Sequence, residues 1–236
     1  MRPHYSVVIP LKNEAGNIGS LISELEPVME SLAKPWELIC VDDGSTDGTG
    51  QILLDLSAQK PFIRLISFQR NYGQSSAFDA GFKAARGEYI ITLDGDGQND
   101  PKDIPSLVAL IPSCDMVCGI RLKRKDTIIK RLTSKMANLV RNLLVDDGVQ
   151  DTGCSLKVYR KNSLDKIKMY QGMHRFLPAL FKIEGFCIQQ IPVNHRERLR
   201  GKSNYNFFNR SFNTIADLMA VRWMKKRRLD YKIKGP

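Results

Sequence analysis

The chain lacks any apolar run long enough to cross a bilayer. Its first apolar segment, Tyr5 to Leu11, is too short for a signal-peptide core, and none approaches the ~18 apolar residues of a membrane span. Insertion into a membrane through these residues is therefore not expected. Cysteine is sparse: Cys40, Cys114, Cys118, Cys154 and Cys187 are odd in number and lack the paired spacing of a zinc site or disulfide framework. A reducing, cytoplasmic setting follows. There is no internal repeat, low-complexity tract or Pro/Gly-rich linker to separate independent domains. Acids are outnumbered, with 25 Asp+Glu against 36 Lys+Arg and a net charge of +11. Such a balance favours a phosphate ligand, an acidic membrane surface or nucleic acid. The aromatic stacking motif of a nucleic-acid binder is also missing, which argues against the last.

What is present is apolar content, 42% of 236 residues, enough for one α/β domain with an elaborated C-terminal region. Tyr5 to Pro10, Glu37 to Val41, Phe62 to Phe68, Tyr89 to Leu93 and Asp115 to Gly119 read as strands, with helical patterns between them. Further strands are expected at Ser155 to Tyr159 and Phe186 to Val193, a basic helix near Ile128 to Leu144, and an amphipathic helix from Asn206 to Arg228. This alternation predicts a Rossmann-like, mostly parallel sheet covered by helices on both faces, with ligands beyond the carboxyl ends of its strands. Four polar turns fall there: Lys12-Asn13-Glu14, Asp42-Asp43-Gly44-Ser45, Arg70-Asn71-Tyr72-Gly73 and Asp94-Gly95-Asp96.

Asp94 and Asp96 flank a glycine at a strand end, so one tight turn can aim both carboxylates at a divalent cation whose shell a diphosphate completes. Gln98 and Asp100 can extend that shell. A solvated polar turn is the plain alternative, and a calcium loop lacks its downstream Glu. Asp43 can accept hydrogen bonds from a base or ribose, while Gly44 and Ser45 suit a turn and helix cap ahead of Thr49 to Leu56. Asp42 and Ser45 are equally readable as capping residues only. Asn71-Tyr72-Gly73-Gln74 opens a helix near the same edge.

Ser6 to Pro10, Val41 to Asp47 and Leu93 to Gln98, in this order and spacing, resemble glycosyltransferase family 2, and most closely its dolichyl- and polyprenyl-phosphate sugar transferases. The resemblance implies the GT-A fold, with Pro10, Glu14 and Asp43 lining the nucleoside pocket. Asp94, Gly95, Asp96 and Gln98 are then expected to hold Mg²⁺ or Mn²⁺ and the diphosphate of a UDP- or GDP-sugar. Lys12 stands where an aromatic is frequent in this family, and Gly95 where Ala is frequent.

From Arg121 to Arg141 eight Lys or Arg face one acid, Asp126, either as a solvated basic face or as a grip for a monophosphate. The lipid-phosphate branch implies the grip, with Arg121, Arg131 or Lys130, and Ser134 at the matching positions. Asp151 follows Gln150 where hydroxyl-acceptor relatives carry a Glu-Asp pair with a general base; a phosphate acceptor, largely dianionic at neutral pH, needs none. Asp151 is thus a candidate base or a positioning residue. Arg198 and Lys202, in Arg198 to Ser203, match a loop that closes over the diphosphate in that branch. In the last helix Phe208, Phe212, Ile215, Met219 and Trp223 form a stripe that ends in Lys225-Lys226-Arg227-Arg228. It suits either an anionic membrane surface or packing on the catalytic domain.

The expectation is therefore a GT-A catalytic domain over 1–204 and a C-terminal helical region over 205–236, catalysing inverting, metal-dependent transfer of a sugar to a polyprenyl phosphate. The setting is cytoplasmic, peripheral at the cytoplasmic face of a membrane, with an integral membrane partner as a further candidate. Transfer to a saccharide or other hydroxyl, or a noncatalytic basic membrane- or nucleic-acid-binding module, are the competing readings.

Overall fold

The computed structural model describes residues 2–122, 148–197, 207–231 and 234. Strands β1 (Tyr5–Leu11), β2 (Trp36–Asp42), β3 (Ile63–Ser67) and β4 (Tyr89–Thr92) alternate with helices α1 (Ile18–Ser31), α2 (Thr49–Gln59) and α3 (Gln74–Ala84). Helix α4 (Ile104–Leu110) leads to β5 (Met116–Arg121). Then come β6 (Lys157–Arg160), the short α5 (Lys161–Leu164), a 3₁₀ turn at Met173–Phe176, α6 (Leu177–Ile183), β7 (Ile188–Val193) and α7 (Phe207–Arg227). The sheet order is β3-β2-β1-β4-β6-β5-β7. Pairing is parallel except at β6, which runs antiparallel to both β4 and β5.

The apolar strands are continuous because both faces are covered. Alternation within β1 sends Val7, Ile9 and Leu11 to one core with Leu21, Leu25 and Leu107, and Val8 to the other with Phe78, Phe82 and Phe181. The expected mostly parallel sheet is thus observed, with boundaries shifted by one or two residues. The two C-terminal strands start later than their apolar runs, at Lys157 and Ile188. The cap of α2 also differs from expectation. Asp47, not Ser45, accepts from Thr49 N at 3.1 Å, and Ser45 Oγ accepts from Asn13 N at 2.9 Å.

Helix α7 packs through Leu218 and Val221, 7% and 0% exposed, against Met173, Phe176 and Leu180. Burial of each such side chain stabilises by roughly 1.5–3 kcal/mol. The expected stripe is on the other side: Ile215, Met219 and Trp223 are 59%, 52% and 63% exposed. Phe208 and Phe212 lie outside the described side chains. No described helix is long and apolar enough to cross a membrane.

Candidate active site

A cleft of ≈ 1360 Å³ opens beyond the carboxyl ends of β1, β2 and β4, where the polar turns were expected. One edge, where a nucleoside was expected, carries Pro10, Glu14 and Asp43. Asn13, at φ 56°, accepts from Thr46 N at 2.8 Å through its side chain, so the turn after β1 is tied to the turn after β2. Glu14 N and Ala15 N add bonds to Thr49 and Asp47, and Lys12 Nζ donates to Gly44 O. Asp42 accepts from Ser45 N at 2.9 Å, a bond within the turn after β2. Asp43 is buried and accepts from Tyr72 N and Gly73 N at 2.6 and 2.9 Å. Besides facing the cleft, it therefore fixes the loop that opens α3.

On the edge formed by the acidic turn, Asp94 accepts from Gln74 Nε2 at 3.0 Å. Its backbone N–H donates to Asn99 Oδ1 at 3.1 Å, and the same oxygen accepts from Ser155 Oγ at 2.6 Å. Asp96 is buried and accepts from Gln98 N at 3.1 Å. Burial first, and the neighbouring Asp96 second, push the Asp94 carboxyl above the usual carboxylate range. Two crowded, desolvated carboxylates facing a cleft fit a hard divalent cation, which would relieve both penalties. Gly95 keeps this turn close to β1, since a Cβ there would sit 2.3 Å from Leu11 Cδ2. The amide nitrogen of Gln98 lies 3.4 Å from Arg196 O, so that end of the side chain turns away from the acids.

The segment after β7 clasps this turn. Arg196 N donates to Gln98 O at 2.8 Å, its guanidinium bridges Asp100 at 2.7 Å and Glu24, and Asn194 donates twice to Asp103. His195 pairs with Asn99 in a β-bridge.

At the cationic edge two of the sequence-predicted residues are bound to each other. Arg121 Nε and Nη2 grip Asp151 Oδ2 and Oδ1 at 2.7 and 2.8 Å. Arg121 N and Gly153 N donate to the same two oxygens at 3.2 Å each. A carboxylate offers about four acceptor positions. Four donors occupy those of Asp151, two of them from the guanidinium of Arg121. Arg121 lines the cleft with its charge largely offset. A second cation there, Lys157, is 4% exposed and donates to Cys154 O. Its signal was a lone lysine in the apolar run Leu156 to Tyr159. Gln74 was visible only as part of a helix start. Lys130, Arg131, Ser134, Arg198 and Lys202 lie outside the described residues.

The family model described as glycosyl transferase family 2 matches residues 6–168. Curated relatives include the dodecaprenyl-phosphate galacturonate synthase of Rhizobium johnstonii, 38% identical over 222 residues. That match covers 92% of this chain and 65% of the relative. The undecaprenyl-phosphate 4-deoxy-4-formamido-L-arabinose transferase of Salmonella choleraesuis is 38% identical over 216 residues, 91% of this chain and 66% of the relative. The chain thus spans just under two thirds of these proteins. Among solved structures, glucosyl-3-phosphoglycerate synthase from Mycobacterium tuberculosis, in complex with Mn²⁺, UDP-glucose and phosphoglyceric acid, superposes with a TM-score of 0.72 at 19% identity. It covers 97% of this chain and 81% of its own, so the two share a fold. With the acidic turn, the tied turns after β1 and β2 and the sheet order already in place, the match over residues 6–168 makes the chain a member of glycosyl transferase family 2.

Proposed function

We propose that the chain transfers a sugar from a nucleoside diphosphate to a polyprenyl phosphate, with inversion at the anomeric carbon. The observation that carries the acceptor class is the state of Asp151. A hydroxyl nucleophile needs a base, and the carboxylate best placed by sequence already accepts four hydrogen bonds. A phosphate dianion carries its own nucleophilic oxygen. That oxygen forms the new bond to the anomeric carbon while the bond to the diphosphate oxygen breaks, its electron pair leaving with the diphosphate. The relatives named for dodecaprenyl and undecaprenyl phosphate support the same class.

In this reading Pro10, Glu14 and Asp43 hold the nucleoside. Asp94 and Asp96, with the Gln98 carboxamide oxygen, hold Mg²⁺ or Mn²⁺, which would neutralise diphosphate charge when bound. Lys157 keeps the floor of the cleft positive, and Arg198 and Lys202 close over the leaving group. The acceptor phosphate is met by Arg121 with Arg131 and Ser134. The exposed face of α7 and the cations Lys225 to Arg228 rest on an anionic membrane at its cytoplasmic face, where the acceptor resides.

The direct test supplies UDP- and GDP-sugars with Mn²⁺ and either a short polyprenyl phosphate or the corresponding polyprenol. Expected is a polyprenyl-phosphate sugar from one donor and no product from the alcohol. Glycosylation of the alcohol or of a saccharide, with the phosphate inert, overturns the acceptor assignment.

A further inference from the structure

The nucleoside, metal and cationic edges leave one side of the cleft unexplained. It is built from residues 171–175 and one turn of α7. On one flank, Gln171 Nε2 donates to Tyr72 O at 3.2 Å, and Ser75 Oγ shares a hydrogen bond of 2.6 Å with His174 Nδ1. Ser75 follows Gln74, whose amide holds Asp94. The imidazole is thus anchored to the same turn of α3 as the metal-edge carboxylate. On the other flank, Asp217 of α7 rests over Gly172. This glycine has φ +82°, and a Cβ on it would lie 2.1 Å from Asp217 Oδ2, so a larger residue would displace the carboxylate. Leu218 and Val221 fix α7 in this position against Met173 and Phe176. His174, Arg175 and Asp217 all line the cleft.

This side differs chemically from the others. It combines imidazole, guanidinium, amide and carboxylate groups, whereas diphosphate recognition calls for cations and would be opposed by Asp217. A polyhydroxylated ring matches such a wall, because each hydroxyl both donates and accepts. Position agrees: Gln74, Ser75, Asp94, Asp96 and His174 line one cleft, so a sugar hanging from a diphosphate at Asp94 and Asp96 shares that space with His174. Burial, opposed by Arg175, raises the Asp217 carboxyl and marks it as partly withdrawn from water. We propose that His174, Arg175 and Asp217 form the subsite that recognises the transferred sugar, with the C-terminal helix supplying the carboxylate. The inference rests on the donor reading above and extends the site beyond residues 6–168 of the family match.

The test compares binding of UDP and GDP with that of UDP-glucose, UDP-glucuronic acid and GDP-mannose, all with Mn²⁺, by calorimetry on the full chain. In Asp217→Asn and His174→Gln the affinity for the nucleoside diphosphate that wild type binds should stay within about twofold. Affinity for its preferred sugar nucleotide should fall about tenfold, the scale of one lost polar contact, and preferences among sugars should narrow. Unchanged nucleoside diphosphate binding also certifies folding, and either variant alone carries the test if the other fails to fold. Parallel loss of nucleoside diphosphate and sugar nucleotide, or no loss of either, overturns the subsite. A wild-type chain that binds neither UDP nor GDP overturns the donor reading instead.

Discussion

Asp94, which lines the cleft, and Asp151, which is held by the cleft-lining Arg121, are opposites. Asp94 has one side-chain amide on an oxygen, a second acid two residues away and a carboxyl pushed upward by burial. Asp151 is buried too, yet an arginine fork and two backbone N–H groups satisfy it. Partners, more than residue type or location, decide which carboxylate is available for chemistry. An acid crowded by another acid invites a cation, whereas a saturated acid orients its arginine.

The contrast is sharpest under mutation. Asp96→Ala should lower transfer by about a thousandfold or more, since charge on the diphosphate loses its counter-ion, while the melting temperature hardly moves. Near-normal turnover with Mn²⁺ would break the metal-edge half of the comparison. Asp151→Asn should cost about 3 kcal/mol of stability, because Arg121 would be left buried beside a neutral amide. Acceptor turnover should fall about 10- to 100-fold while the shape of the pH–rate profile is kept. Loss of the acidic limb of that profile would restore Asp151 as a base.

A subtler pair of measurements uses pH. The raised Asp94 carboxyl holds its proton to higher pH in the fold than in the unfolded chain, so its ionisation destabilises the metal-free protein as pH rises through that range. Glu37 has the opposite sign. Burial raises its carboxyl, but Ser6, Arg64 and the Arg86 N–H outweigh this and lower it. Its stabilisation is therefore present above the unfolded carboxylate range and lost as pH falls through its lowered value. Asp94→Asn should accordingly raise the metal-free melting temperature at pH 7 by a few degrees, on the order of 1 kcal/mol, while abolishing activity. A lower melting temperature would show that Asp94 is not a strained group. Arg196→Ala should weaken Mn²⁺ binding by about tenfold, with activity recovered at high metal, because Asp100 and Glu24 lose the guanidinium that bridges them.

The first half of the chain was readable because its apolar strands end in polar turns at the same sheet edge. Once the alternation was seen, Asp43, Asp94 and Asp96 were placed without knowing any contact. Long-range pairing was not readable. Nothing local in Asp151 announces Arg121, 30 positions away, and nothing in Arg196 announces Glu24, 172 positions away. The antiparallel β6 was equally hidden, because a four-residue strand carries no sign of its direction. In α7 the three- and four-residue spacing gave the helix correctly but suited two environments. The packed face proved to be the shorter set, Leu218 and Val221, rather than the stripe.

That stripe supplies the smallest and last expected effect. Ile215, Met219 and Trp223 lie across α7 from its packed residues, and Lys225, Lys226, Arg227 and Arg228 are exposed beyond them. An interfacial helix draws on both apolar insertion and attraction to anionic lipid, but only the attraction is screened over a Debye length of about 10 Å at 0.1 M salt. Binding to vesicles containing anionic lipid should therefore weaken as salt rises and fall by about tenfold when the four cations are reversed in charge. Trp223→Ala should weaken binding to neutral and anionic vesicles alike, with little effect on hydrolysis of a soluble donor. Undiminished binding of the charge-reversed chain to anionic vesicles would mean that these cations do not face lipid. The exposed stripe would then have to be covered by protein instead.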